Sequence, residues 1–255
     1  MKTIILAAGE GKRLRPFTED KPKCMVLYRE KPIINYILDA IDEKNLQDIG
    51  IVTGYKDDVL RKHIKKIYTE KNVDLYHNPK YHSTNMVQTL FCAESYFDCN
   101  KDLIVSYADI IYNQNILTDL IKDDSEISVV VDKNWKELWE MRMDNPLEDA
   151  ESMKIDNEGY IRELGKKPRD YSDIDGQYIG LIKISKRVIE KVKSFYHNLD
   201  KNRNYDGKNF NNMYMTTFIQ LLINKGFKVK AVEVYGGWLE IDTTDDLKIL
   251  EEYFI

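Results

Sequence analysis

The sequence predicts an α/β fold: a mostly parallel sheet wrapped by helices, with a smaller β-rich portion in the second half. Three observations predict it. In the first half, short β-branched runs alternate with stretches whose apolar residues recur at helical spacing. The first of those runs ends directly in Gly9-Glu10-Gly11, a tight turn of the kind found at a sheet's carboxyl edge. The second half carries a hairpin signal instead, two short apolar runs flanking Asp156-Asn157-Glu158-Gly159.

Residues 3–8 read as a buried strand, apolar and β-branched, ended by Gly9. Over 32–44, Ile33, Ile37, Leu38 and Ile41 share one helix face. A second strand, 48–53, stops at Gly54. Residues 57–67 form a helix with Val59, Leu60, His63, Ile64 and Ile67 as its inner stripe, and a short strand follows at 73–76. Thr84 or Asn85 caps a helix running to about 96. A strand over 103–107 ends in Ala108-Asp109, followed by a helix at 115–122 and a strand at 127–132. Beyond these, 153–155 and 160–164 make the hairpin, 178–184 a strand and 186–199 a helix. A helix at 215–224 closes near Gly226, 229–234 is a strand, and Asp242 precedes a last helix at 244–253. No repeat, low-complexity stretch or linker divides the chain, so 1–255 reads as one domain.

Composition excludes several classes. Apolar residues make up 43% of 255, enough for a substantial core. A net charge of −5 argues against general nucleic-acid binding but permits a local cationic pocket. Three cysteines, Cys24, Cys92 and Cys99, with no CxxC pair, suggest neither a disulfide framework nor a zinc site. The apolar start MKTIILAAG is too short for a signal peptide and meets charges at once, and no run is long enough to cross a membrane. A soluble, cytoplasmic protein is expected, with no membrane partner.

The stretch after the first strand, LAAGEGKRLRPFTEDKPKCM over 6–25, concentrates five basic residues in an acidic protein. Its glycines permit positive φ and close approach of a ligand to backbone N–H groups. Arg13 is a bidentate phosphate donor and Lys23 a point charge, while Pro16 and Pro22 stiffen the excursion between them. Two familiar phosphate loops are excluded. The dinucleotide fingerprint needs a third glycine where Leu14 stands, and the Walker loop needs Gly-Lys-Ser/Thr where Gly11-Lys12-Arg13 stands.

The full string LAAGxGxRLxPxTxxxPKxM resembles the signature of the nucleotidyltransferase family that includes sugar-phosphate nucleotidylyltransferases and phosphocholine cytidylyltransferases. The likeness spans nearly the whole chain. Val52-Thr53-Gly54-Tyr55 is similar to the family's second base-edge loop, Ala108-Asp109 to its metal-binding aspartate, and Trp238-Leu239-Glu240-Ile241-Asp242, then Asp246-Leu247, to its C-terminal metal motif. The resemblance implies a Rossmann-like, nucleotide-diphospho-sugar-transferase-like sheet. Residues 1–132 would be its nucleotide-binding part, and 133–255 the acceptor-binding part with the second metal ligand.

It also implies a reaction, in which an acceptor phosphate or phosphonate oxygen attacks the α-phosphorus of a nucleoside triphosphate and pyrophosphate leaves. By this likeness Lys23 and Arg13 are catalytic. Leu6, Ala7, Ala8, Gly9, Gly11, Gly54, Tyr55, Thr84, Asn85 and Ala108 bind the nucleotide, and Asp109 and Asp242 hold Mg²⁺. Each has a plainer reading: Asp109 as a loop carboxylate, Asp242 as the cap of the last helix, Thr84 and Asn85 as caps. A non-catalytic nucleotide-binding regulatory subunit is the alternative of another class, but relatives of that kind lack the lysine or a metal aspartate.

The segment Asn78-Pro79-Lys80-Tyr81…Thr84-Asn85 resembles phosphocholine-type cytidylyltransferases, which implies CTP. Trp135 and Trp139 share a helix face. With Asp149, Tyr178, Trp238 and Glu240 they could cage an ammonium, and Lys166, taken over Lys167, would meet the acceptor phosphate. The expected acceptor is a small phosphonate or phosphate bearing a cationic amine. Carboxylates near Asp149 favour 2-aminoethylphosphonate, with phosphocholine and phosphoglutamine as alternatives. A homodimer and a fused partner domain both remain open.

Overall fold

The computed structural model describes residues 1–68 and 73–249. Its centre is a seven-stranded sheet. In chain order the strands of three or more residues are β1 (Lys2–Ala7), β2 (Asp48–Thr53), β3 (Val73–His77), β4 (Leu103–Tyr107), β5 (Ile110–Tyr112), β6 (Ile127–Asp132), β7 (Met153–Ile155), β8 (Ile161–Leu164), β9 (Gln177–Ile184), β10 (Val229–Val234) and β11 (Trp238–Glu240). The helices are α1 (Ile33–Glu43), α2 (Asp57–Ile67), α3 (Met86–Phe91), α4 (Gln114–Lys122), α5 (Trp135–Arg142), α6 (Ile189–His197), α7 (Met215–Lys225) and α8 (Thr244–Ile249). The sheet runs β3-β2-β1-β4-β9-β6-β10, parallel except for β9, which pairs antiparallel with both neighbours.

Side-chain alternation explains why the sheet is covered on both faces. In β1, Ile5 and Ala7 join one apolar core while Ile4 and Leu6 join the other. In β4, Ile104 faces the first core, and Leu103 and Val105 the second. The first core is closed by α1, α2 and α4 through Ile37, Ile64 and Leu117, the second by α3, α6 and α7 through Leu90, Val192 and Phe218.

The helix expected to run to about 96 ends at Phe91, and a separate 3₁₀ turn covers Glu94–Tyr96. Phe91 and Tyr96 both lie in the second core. On one continuous helix, residues five apart point about 140° from each other, so burying both requires the break. The helix expected from 186 starts at Ile189, after a turn in which Val188 N–H donates to Ser185 O at 2.9 Å. Of the last expected helix, Thr244–Ile249 is seen, and 250–253 fall outside the described residues.

A further pairing lies outside the sequence reading. β5 and β11 form an antiparallel clip, with Trp238 opposite Tyr112 and Glu240 opposite Ile110. The clip continues as Ile241 N–H donates to Asp109 O at 2.9 Å.

Candidate active site

In the run β3-β2-β1-β4 the strand order reverses at β1, because β4 lies on the side of β1 opposite β2. Crevices of this kind open at the carboxyl ends of the strands. Ala8-Gly9 leaves β1 there, and Ala108-Asp109 leaves β4 beside it. A Cβ on Gly9 would meet nothing within 4 Å, so its backbone is open to the cleft.

The basic loop returns Lys23 to this edge. Gly11 takes φ 64°, and its carbonyl accepts from the Thr18 hydroxyl at 2.8 Å, which closes the loop on itself. Lys23 follows the extended Pro22 on a 3₁₀ turn, Lys23–Met25. Its Nζ donates to Asp109 Oδ2 at 2.6 Å and to Asp242 Oδ1 at 2.7 Å. Arg13, exposed on the rim, pairs with the other oxygen of Asp242. Burial by itself would lower the Lys23 pKa; Asp109 first, then Asp242 and Glu240, reverse this and hold the ammonium charged.

The β5–β11 clip is what brings Asp109 and Asp242 together across the sequence. Arg142, on α5, sets the turn after the clip. Its Nε donates to Asp246 Oδ1 at 2.8 Å and its Nη1 to Glu240 Oε2 at 3.2 Å. Asp246 Oδ2 in turn accepts from the backbone N–H of Asp242 at 2.9 Å and of Thr243 at 2.8 Å. Both Arg142 and Asp246 are almost fully buried. Sequence reasoning quoted Asp246 only within the C-terminal motif and gave Arg142 no role; a capping carboxylate three residues after Thr243 was the available signal for the bracing role of Asp246.

Two compartments meet at this cluster, sharing Asn85 and Met86 on their walls. Leu6, Ala7, Ala8 and Gly9 line the first, a cavity of about 110 Å³, together with Thr84, Asn85 and Ala108. Lys23 and Asp109 close it on one side. Asn85 does cap α3, accepting from Met86 N–H at 2.8 Å. Gly54 and Tyr55 stand behind the wall rather than on it. A Cβ on Gly54 would lie 2.7 Å from Ala8 O, and Tyr55 N–H donates to that same carbonyl at 3.2 Å. Asn78, unassigned in the sequence reading, organises the base-side loop by donating to the hydroxyls of Thr84 and Thr89, each at 3.0 Å.

The second compartment, about 220 Å³, has Trp139, Tyr178, Trp238 and Glu240 on its walls, with Glu151 beside them. A register shift in β9 at Gly180 turns Tyr178 toward it. Gly180 has φ 89°, and a Cβ there would lie 2.8 Å from the Tyr107 ring. Burial, then Asp109, pushes the Glu240 carboxyl up to about 7.

Three predicted acceptor residues are not brought to this cavity. Trp135, one turn before Trp139, packs in the first core with its ring 5.8 Å from that of Trp139 and 6.2 Å from that of Tyr171. Asp149 Oδ2 accepts from Trp139 Nε1 at 3.1 Å and so holds the indole from behind. Lys166 is exposed and pairs with Glu163, while Lys167 Nζ donates to the carbonyls of Leu147 and Glu148. Among the described residues no helix is long and apolar enough to cross a membrane.

The donor set suits a hard divalent cation. Asp109 Oδ1 is buried with no hydrogen-bond partner, so an oxygen of this carboxylate is left uncompensated by protein. Magnesium takes one or two carboxylates plus phosphate oxygens, and the two aspartates supply the former.

A strand-end phosphate loop, a lysine between two aspartates and an adjoining cavity define a phosphoryl-group-transfer architecture, and the chain belongs to the nucleotidyl transferase family, whose model matches residues 2–247. It is 48% identical over 253 residues to the CTP:phosphoglutamine cytidylyltransferase of Campylobacter jejuni, spanning 98% of each chain. In fold it is similar to the inositol-1-phosphate CTP transferase of T. maritima, with TM-score 0.75 and 19% identity over 100% of this chain and 97% of that one. It is similar also to the CTP:phosphocholine cytidylyltransferase of Streptococcus pneumoniae, with TM-score 0.70 and 22% identity over 98% and 97%. The full-length relative sets the chain beside the cytidylyltransferase branch of the family, as the base-side segment implied.

Proposed function

We propose that the protein is a CTP-dependent cytidylyltransferase whose acceptor is phosphoglutamine. One observation carries this reading: near-full-length identity of 48% to a phosphoglutamine enzyme, in a chain that keeps Lys23, Asp109 and Asp242 in mutual contact. It displaces 2-aminoethylphosphonate, the acceptor favoured by sequence reasoning alone, in favour of an alternative that reasoning kept.

In this reading an acceptor phosphoryl oxygen forms the new bond to the α-phosphorus of CTP, and the bond to the β-phosphate oxygen breaks, with its electron pair leaving on pyrophosphate. The attacking oxygen is already anionic near neutral pH, so no general base is required of the protein. Backbone N–H groups from Ala8 to Gly11 cradle the triphosphate. Arg13 binds the leaving phosphates, and Lys23 moves from its carboxylates onto the α-phosphate, where charge grows in the transition state. Mg²⁺, held by Asp109 and Asp242, would supply the neutralising charge that lets phosphate oxygens approach them. Positioning and charge supply the catalysis, with the acceptor seated in the compartment beside Trp139 and Trp238.

The test is pyrophosphate release with each of the four triphosphates against phosphoglutamine, 2-aminoethylphosphonate and phosphocholine. CTP with phosphoglutamine is expected to give the highest kcat/KM, and faster turnover of either other acceptor would overturn the choice. Lys23→Ala is expected to lose about 10²–10³ in kcat while keeping its fold. A variant near wild-type rate would remove the lysine from the mechanism.

A further inference from the structure

We propose that Glu151 is the residue that reads the acceptor's amine, as a hydrogen-bonded carboxylate for a primary ammonium. This rests on the acceptor reading above and names the group that gives it specificity. The argument begins with what the second compartment lacks. Its walls carry two carboxylates, Glu151 and Glu240, and no lysine, arginine or histidine. Glu240 already has a cation, since Arg142 Nη1 lies 3.2 Å from its Oε2. Glu151 has none among the described residues: its side chain accepts only from the Thr216 hydroxyl, at 3.2 Å. A mostly buried carboxylate with one neutral donor is under-compensated, and the bound molecule is where its counterion can come from.

The other walls point to the same ligand chemistry. Both indole N–H groups are engaged away from any ligand, that of Trp139 by Asp149 at 3.1 Å and that of Trp238 by Asp132 at 2.8 Å. What the tryptophans offer the cavity is therefore ring surface, which attracts a cation and not an anion. The Tyr178 hydroxyl is buried on the same wall with the Tyr107 side chain as its neighbour, a second polar group facing this compartment. Oxygen acceptors with direction suit N–H donors, which a primary ammonium has and a quaternary one lacks.

Glu151 is also held as a binding group should be. Its N–H donates to Gln177 Oε1 at 3.1 Å, and Gln177 Nε2 donates back to its carbonyl at 2.5 Å. Gln177 is buried and immediately precedes Tyr178, so one strand end fixes both polar groups. Burial pushes the Glu151 carboxyl up to about 7, as expected where the counterion arrives with the ligand.

Steady-state kinetics with matched acceptor pairs tests this: phosphoglutamine against its analogue lacking the α-amino group, and 2-aminoethylphosphonate against ethylphosphonate. Wild-type enzyme is expected to prefer the amine-bearing member by at least tenfold in kcat/KM. In Glu151→Gln the preference should fall below about threefold through a rise in acceptor KM, with the KM for CTP unchanged. Glu151→Asp should keep part of the preference, and an unchanged CTP KM shows that each variant is folded. A Glu151→Gln enzyme that retains the full preference, or a wild type indifferent to the amine in both pairs, overturns the assignment. Turnover of the phosphonate pair but not of phosphoglutamine would sink the acceptor reading while still testing Glu151.

Discussion

Gly11 shows how narrowly one residue can be specified. It sits at φ 64°, and a Cβ there would lie 2.9 Å from the Cβ of Lys23. An L-residue in that conformation costs about 1–2 kcal/mol before any clash is counted. Gly11→Ala is therefore expected to lower stability by about that amount and to cost more activity than stability, because the residue displaced is Lys23. Thermal unfolding and kcat measured together check this; a variant with normal kcat would show that Lys23 tolerates the shift. The need for glycine was legible from the sequence, because the loop chemistry that selects it is local. Trp135 and Lys166 were not separable from true cavity residues in that way. Both carry suitable side chains, and only the packing of Trp135 against Trp139 and Tyr171 and the nearby Glu163 carboxylate keep them from the cavity. Glu151 lay within the acidic stretch that drew attention to Asp149, but which of the two carboxylates reaches the cavity depends on Gln177, a residue distant in sequence.

Elements made of local pattern were read well, and those made by pairing were not. The strand at 48–53 and the helix at 57–67 stand where apolar periodicity put them. The three-residue strands β5 and β11 are too short for any periodicity, and they exist because each completes the other. Yet that clip carries Asp109 and Asp242, and its far end is set by Arg142. The Arg142 side chain is 4% exposed and that of Asp246 is 3%, so removing the guanidinium leaves a buried carboxylate without its cation. Arg142→Met is expected to destabilise the protein by about 3–5 kcal/mol, and to slow turnover because the Asp242 backbone hangs from Asp246. The double variant Arg142→Met/Asp246→Leu should cost much less than the sum of the single changes. Additive losses in thermal unfolding would mean the pair acts through separate contacts.

At the scale of the molecule, the two halves of the sequence cannot be pulled apart along the chain. β9, at 177–184, lies between β4 and β6, so the second half supplies the strand that joins two pieces of the first. The cluster at Lys23 repeats this in miniature, drawing one aspartate from each half. A ligand bound there should therefore stabilise the entire sheet and not one lobe. CTP with Mg²⁺ at about 100 times its Kd should add about 2.7 kcal/mol, which for a chain of this size raises Tm by roughly 5–10 °C. The expected trace is a single unfolding transition that moves as a unit, with most of the shift lost in Asp109→Asn. A two-step trace in which nucleotide moves only the first step would mean that the nucleotide side folds and binds independently. In that case β9 would be an addition to a finished sheet, and the clip between β5 and β11 would close around a site already formed.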